Sequence, residues 1–263
     1  MTGYEHLHYA VAGGVATIRL DRTAKLNALT SAMADEQLPE LCRRATADPA
    51  VRVVVLTGTG RAFCSGADLV QRIDEVTTGA DATRLEQPLA NFVRAVWELP
   101  KPVIAAVNGV AAGGGMSLAA VADFRVVAES ARFVPAFVRR GLMPDGGLTY
   151  TLPLLVGRSA AARILMLGTP VDPATALRLG LADEVAPDAE LDQAVADLAG
   201  QLAAGPAVAL SFTKRAVQRA AASSLTQQLE FESWGQRVCL GTRDFAEGRA
   251  AFAEHRAPQF EGH

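Results

Sequence analysis

Hydrophobic positions along the chain fall into two rhythms that alternate. V-A-T-I-R-L from Val15 to Leu20 partly alternates apolar and polar, and Gly13-Gly14 before it predicts a hairpin turn from a first strand near Leu7 to Val11. V-R-V-V-V-L-T-G from Val51 to Gly58, V-I-A-A-V from Val103 to Val107 and F-R-V-V-A from Phe124 to Ala128 are too uniformly apolar for half-exposed strands, which predicts strands buried on both faces in a parallel sheet. Between them lie helical patterns: Ser31 to about Ala45 behind a Thr30 N-cap, Leu85 to Leu99 stopped by Pro100 and Pro102, and Met116 to Ala122. Further helices are expected at Ser159 to Leu167 and Pro173 to Leu179, the second ended by Gly180, with a short strand near Asp183 to Ala186. From Asp188 onward the pattern is almost wholly helical, with breaks at Gly205-Pro206 and near Ser223. Strand–helix alternation predicts the α/β class. The expected organisation is a core over residues 1–200 and a helical oligomerisation region over 201–263.

Composition narrows the function. At 263 residues, 50% hydrophobic and 20% charged, the chain can bury an enzyme-sized core. A net charge of −3, with no cluster of Lys and Arg interleaved with aromatics, argues against nucleic acid as a partner. No apolar run approaches the roughly 20 residues that span a bilayer, and M-T-G-Y-E-H lacks a signal-peptide core, so no membrane partner and a cytoplasmic location are expected. Cys42, Cys64 and Cys239 are scattered without metal-ligand spacing; reduced thiols and no metal site are the expectation.

Candidate chemistry concentrates at two glycine turns. In K-P-V-I-A-A-V-N-G-V-A-A-G-G-G-M-S-L-A-A-V-A-D, Lys101 to Asp123, a strand runs through a glycine turn into a helix. Gly113, Gly114 and Gly115 leave amides uncovered at the favourable end of the helix dipole, or else merely let the helix pack close to a strand. The second turn, S-G-A-D-L at Ser65 to Leu69, exposes another amide at Gly66-Ala67 before a helix capped by Asp68. One amide from each turn converging on a single oxygen would make an oxyanion hole. G-T-G-R-A-F at Gly58 to Phe63 fails the dinucleotide fingerprint because its third glycine falls on Phe63. Asn27 and Asp145, the latter in P-D-G-G, both read as turn residues when taken alone, and Gln71 to Arg84 reads as a loop that borders a pocket or makes a surface excursion.

Together these segments resemble the crotonase, or enoyl-CoA hydratase/isomerase, superfamily over nearly the whole chain. Arg22 with L-N-A-L at Leu26 to Leu29, R-A-F-C-S-G-A-D-L at Arg61 to Leu69, the stretch from Lys101 to Gly115, G-L-M-P-D-G-G at Gly141 to Gly147, L-P-L-L-V-G at Leu152 to Gly157 and the close from Phe245 to Phe260 carry the likeness. The resemblance implies a crotonase-like spiral of ββα turns and a C-terminal helical region that assembles a homotrimer or a dimer of trimers. It also implies a coenzyme A thioester whose carbonyl oxygen sits between the amides of Ala67 and Gly114. By the same analogy Lys25, Leu26, Ala28, Ser65, Asp68, Leu69, Gly113, Ser117 and Phe137 line the substrate, as do the Gln71 to Gln87 region and Trp234. His255 stands where the family has a lysine directed at the coenzyme phosphate. No separate cofactor is expected, since coenzyme A is part of the substrate.

Departures from the family select among its reactions. Its hydratases carry glutamates at the positions of Ser117 and Phe137, and neither residue here activates water or delivers a proton at neutral pH. Asp145 stands where several of the superfamily's isomerases, those of phenylacetate breakdown among them, carry an acid. One carboxylate suffices to take a proton from one carbon and return it to another. An enoyl-CoA isomerase with Asp145 as shuttle is therefore the expectation; the alternatives are a hydratase, another hydrolase or lyase of the superfamily, and an idle acyl-CoA-binding protein. G-M-S-L-A around Ser117 only faintly matches a serine-hydrolase elbow: it lacks the last glycine, and the four histidines sit near the chain ends.

Overall fold

The computed structural model describes residues 4–68 and 90–263. Strands β1 (Leu7–Ala12) and β2 (Val15–Leu20) form an antiparallel hairpin around Gly13-Gly14, with Ala12 opposite Val15. From β2 onward the main sheet is parallel, in the order β1-β2-β3-β5-β7-β9, with β3 (Val53–Gly58), β5 (Val103–Val107), β7 (Phe124–Ala128) and β9 (Glu184–Ala186). Every residue of β3 and β5 is buried, as their unbroken apolar runs require.

A second parallel sheet holds three short strands, β4 (Ala62–Cys64), β6 (Val110–Ala112) and β8 (Arg132–Val134). Each follows one long strand: β3 turns into β4, β5 into β6 and β7 into β8. The unit of long strand, short strand and helix recurs and stacks, giving the crotonase-like spiral. Three-residue strands are too short to show a period, and none of the three was predicted from the sequence.

The helices are α1 (Leu38–Ala47), α2 (Asn91–Trp97), α3 (Gly114–Ala120), α4 (Leu148–Val156), α5 (Arg158–Leu167) and α6 (Pro173–Leu179), then α7 (Leu191–Ala203), α8 (Ala207–Ala220), α9 (Leu225–Leu240) and α10 (Arg243–Glu254). Thr30 caps as expected, its Oγ1 accepting the Met33 amide at 3.1 Å. A π turn over Met33–Gln37 precedes α1, because Pro39 has no N–H to return to the Asp35 carbonyl. Helix α4 was not predicted from the sequence: Pro153 inside it masks the pattern.

Helix α7 crosses β2, β3, β5 and β7 and covers one face of the main sheet. Lys214 of α8 reaches back to the core, its buried Nζ lying 2.7 Å from Asp123 Oδ2 and 3.0 Å from the Lys101 carbonyl it donates to. Helices α9 and α10 leave Leu225, Leu229, Leu240 and Phe252 exposed in the single chain. Among the described residues no single helix is long and apolar enough to cross a membrane.

Candidate active site

The two glycine turns meet at the ends of β4 and β6. Leu29 forms an isolated parallel bridge with Ala67: its amide donates to the Gly66 carbonyl at 2.8 Å, and the Asp68 amide donates to the Leu29 carbonyl at 2.9 Å. Leu29 thereby takes the groups on either side of Ala67, and the amide of Ala67 itself points to the other side. There lies Gly114, the first residue of α3, whose amide has no partner one turn earlier. A Cβ built on Gly114 would stand 3.9 Å from the Ala67 nitrogen, and one built on Gly66 would stand 3.2 Å from the Gly114 nitrogen. Among the described residues neither amide has a hydrogen-bond acceptor.

Both roles considered for the glycine triplet are present, on different residues. Gly115 is the packing glycine, since a Cβ there would collide with the Cys64 carbonyl of β4. Gly113, at φ +52, makes the turn that leaves the Gly114 amide open.

Two phenyl rings wall this spot. Phe137, buried, comes within 3.9 Å of where a Cβ of Gly113 would be, and Phe92 within 3.6 Å of the same point on Gly114. Spacing offered no signal for Phe92, which lies in an ordinary helical pattern. These aromatic walls lower the local dielectric and so strengthen any hydrogen bond the amides make.

The Arg22–Asp68 segment is tied by its own bonds. Lys25 is exposed at the end of a 3-10 turn; Ser65 Oγ donates to the Lys25 carbonyl at 3.1 Å and the Ser65 amide to the Leu26 carbonyl at 3.0 Å. These bonds bring Lys25, Leu26 and Ser65 together beside Ala67. Ala28 is buried, and Asp68 is held at 2.7 Å by the Arg22 guanidinium, which also donates to the Ala28 carbonyl at 3.3 Å. Asn27, fully buried with φ +58, accepts from the Arg22 amide at 2.9 Å and donates to the carbonyls of Ala62 and Thr59 at 2.7 and 3.0 Å. It is the pivot of this segment, a turn residue rather than a chemical group.

Ser117 and Asp145 meet through the main chain. Ser117 is wholly buried, and its Oγ donates to the Asp145 carbonyl at 3.0 Å. Asp145 is exposed in the turn leading to α4. Leu142 and Met143, just before it, are 45% and 76% exposed in the single chain and do not cover the carboxylate. The turn lifts them outward: Gly141 is left-handed and the Leu142 amide is drawn back to the Phe137 carbonyl at 3.1 Å.

His255 and Trp234 lie on the C-terminal helices. His255 is the exposed, left-handed C-cap of α10, and the end of the segment after it packs on the start of the same helix, Asp244 accepting from the amides of Glu261 and Gly262 at 2.7 and 3.0 Å. Gly262 lies against the Arg52 side chain, just before the start of β3. Trp234 belongs to an aromatic cluster, 5.0 Å from Phe212 and 5.7 Å from Phe231 between ring centroids. That cluster joins α8 to α9. Leu69, the helix expected after Asp68 and the Gln71 to Gln87 region lie outside the described residues.

A family model described as enoyl-CoA hydratase/isomerase matches residues 10–263. The chain belongs to the enoyl-CoA hydratase/isomerase family. It is 39% identical over 260 residues to a probable enoyl-CoA hydratase of Rhodobacter capsulatus, covering 98% of this chain and 99% of that one. It is also 39% identical over 257 residues to the 1,2-epoxyphenylacetyl-CoA isomerase of Escherichia coli K12, covering 96% and 97%. The solved structure of a putative enoyl-CoA hydratase from Streptomyces coelicolor A3(2) superposes with a TM-score of 0.92 at 41% identity, covering 100% of this chain and 96% of that one. As a member of this family the chain is an acyl-CoA-processing enzyme.

Proposed function

We propose that this enzyme is an enoyl-CoA isomerase in which the amides of Ala67 and Gly114 hold the thioester oxygen and Asp145 moves the proton. The observation that carries the reading is the pairing of those two amides beside a site whose hydratase-glutamate positions are Ser117, with no exposed surface, and Phe137, a buried ring. The site motifs supply two acids: Asp68 is ion-paired with Arg22, and Asp145 is the one assigned the proton transfer.

The chemistry follows from the groups. Two amide donors on the thioester oxygen stabilise the negative charge that develops when a proton leaves the α carbon; a single such donor contributes roughly 2.7 to 4 kcal/mol to a transition state. The Asp145 carboxylate accepts that proton, the electron pair moves through the dienolate, and the resulting carboxylic acid returns the proton at the γ carbon. The double bond shifts, the carboxylate is regenerated, and no atom is gained or lost. A Δ3-enoyl or ring-derived acyl-CoA meets these needs, and the rings of Phe92 and Phe137 suit an apolar acyl group. Lys25, Leu26, Ala28, Ser65 and Leu69 are proposed to follow the coenzyme A moiety. The name of the Escherichia coli relative supports isomerisation.

A second reading, water addition, is favoured by the name of the Rhodobacter capsulatus relative. Incubating the enzyme with Δ3-enoyl, Δ2-enoyl and aryl-acetyl coenzyme A esters separates them by mass spectrometry. Isomerisation leaves the product mass unchanged, whereas hydration adds one water. Binding without turnover of any ester would leave an acyl-CoA-binding protein.

A further inference from the structure

We infer that Ser117 is the positioning residue for Asp145, fixing the turn that carries the carboxylate to the helix that carries the Gly114 amide. The inference rests on the proposed role of Asp145. Ser117 lies three residues after Gly114, one turn along α3. Its Oγ stands 3.0 Å from the Asp145 carbonyl and 3.4 Å from the Gly113 carbonyl, and a hydroxyl has one proton to give. The shorter contact takes it. The Asp145 carbonyl also accepts the Leu148 amide, at 3.2 Å, so it is held from the first turns of α3 and of α4 at once.

Size matches donor here. Gly146, at φ +60, lies so close that a Cβ on it would stand 2.7 Å from Ser117 Cβ and 3.0 Å from Ser117 Oγ. The Asp145 turn therefore rests directly on Ser117, and a larger residue at 117 would push the turn away. With no exposed surface, Ser117 offers substrate nothing directly. A small hydroxyl residue at this point sets where the carboxylate sits relative to the amide pair, a geometry on which proton transfer depends steeply.

Ser117→Ala, Asp145→Asn and the double variant test this by steady-state and high-enzyme kinetics. Ser117→Ala should lower kcat about tenfold, the scale of one lost buried hydrogen bond, and leave KM unchanged. In the Asp145→Asn background the same substitution should cost nothing further, because its effect runs through Asp145. An undiminished kcat in Ser117→Ala, a rise in KM alone, or an equal loss in both backgrounds would overturn the inference while leaving the role of Asp145 intact. Full turnover in Asp145→Asn would instead overturn that role, and this inference with it. If Ser117→Ala fails to fold, Ser117→Cys puts a larger and weaker donor at the same point; a drop in kcat is then expected, and unaltered kcat overturns the inference.

Discussion

A Cβ on Gly66 would lie 3.2 Å from the nitrogen of Gly114 and 2.8 Å from the Ala112 carbonyl, so the two turns of the site close on each other only where no side chain intervenes. Gly66 also holds φ +95, a conformation that costs other residues about 1 to 3 kcal/mol. Gly66→Ala should therefore destabilise the fold by at least that amount and separate the Ala67 and Gly114 amides. Turnover should fall by about 100-fold or more, the scale of losing one such donor. Chemical denaturation and kcat on the same preparation check both; an active, equally stable variant would show that the turns do not need their close approach.

Asn27 should matter for stability alone. Its amide group makes three bonds to main-chain groups in a fully buried spot, and truncation would leave the Ala62 and Thr59 carbonyls and the Arg22 amide without it. Asn27→Ala should cost roughly 2 kcal/mol or more, since each orphaned buried group costs about 1 to 3 and, among the described residues, only the Ala62 carbonyl keeps another donor, the Asn108 side chain. Asn27→Gly should be milder by about 1 kcal/mol, because glycine accepts the left-handed backbone freely. Equal loss in the two variants would mean that backbone conformation contributes nothing there.

Much of this was legible in the sequence where a single physical cause dominates. β5 and α6 have the expected bounds because a buried strand needs an unbroken apolar run, and a helix wants Pro at its first turn and Gly after its last. The short strands β4, β6 and β8 were hidden because they exist only through pairing with one another across the fold. In the site, the two amide turns showed themselves as glycines. Phe92 did not, since its place against Gly114 is set by how α2 docks on α3. The burial of Ser117 and the exposure of Asp145 likewise follow from the Gly146 turn, which no spacing encodes.

The thiols give a pH test. Burial pushes Cys42 and Cys64 up to about 12, far above an unfolded thiol. Folded protein thus keeps these protons where the unfolded chain has lost them, and the stability this contributes is full below the unfolded value, near 9, and is lost as pH rises toward 12. At neutral pH iodoacetamide should spare Cys42 and Cys64 and reach only the half-buried Cys239. Peptide mapping that found label on Cys64 in native protein would contradict its burial.

Self-association should cover the exposed apolar residues of α9 and α10. Leu225 is 75% exposed and Phe252 84% exposed in the single chain, more than scattered surface residues require. Light scattering at micromolar concentration should give three, or six, times the chain mass of 27.6 kDa. A monomer would contradict the proposed trimer, and would mean that these residues face water.

The most direct measurement of the proposed chemistry is proton exchange at Asp145. In deuterium oxide, with a Δ3-enoyl or other accepted coenzyme A thioester, the wild-type enzyme should wash deuterium into the α or γ carbon as it isomerises the substrate. Asp145→Asn keeps the shape and removes the base; it should bind the thioester as tightly, yet lose exchange and turnover together by about 100-fold or more. Full exchange and full turnover in Asp145→Asn would contradict the assignment and leave Asp145 a turn residue.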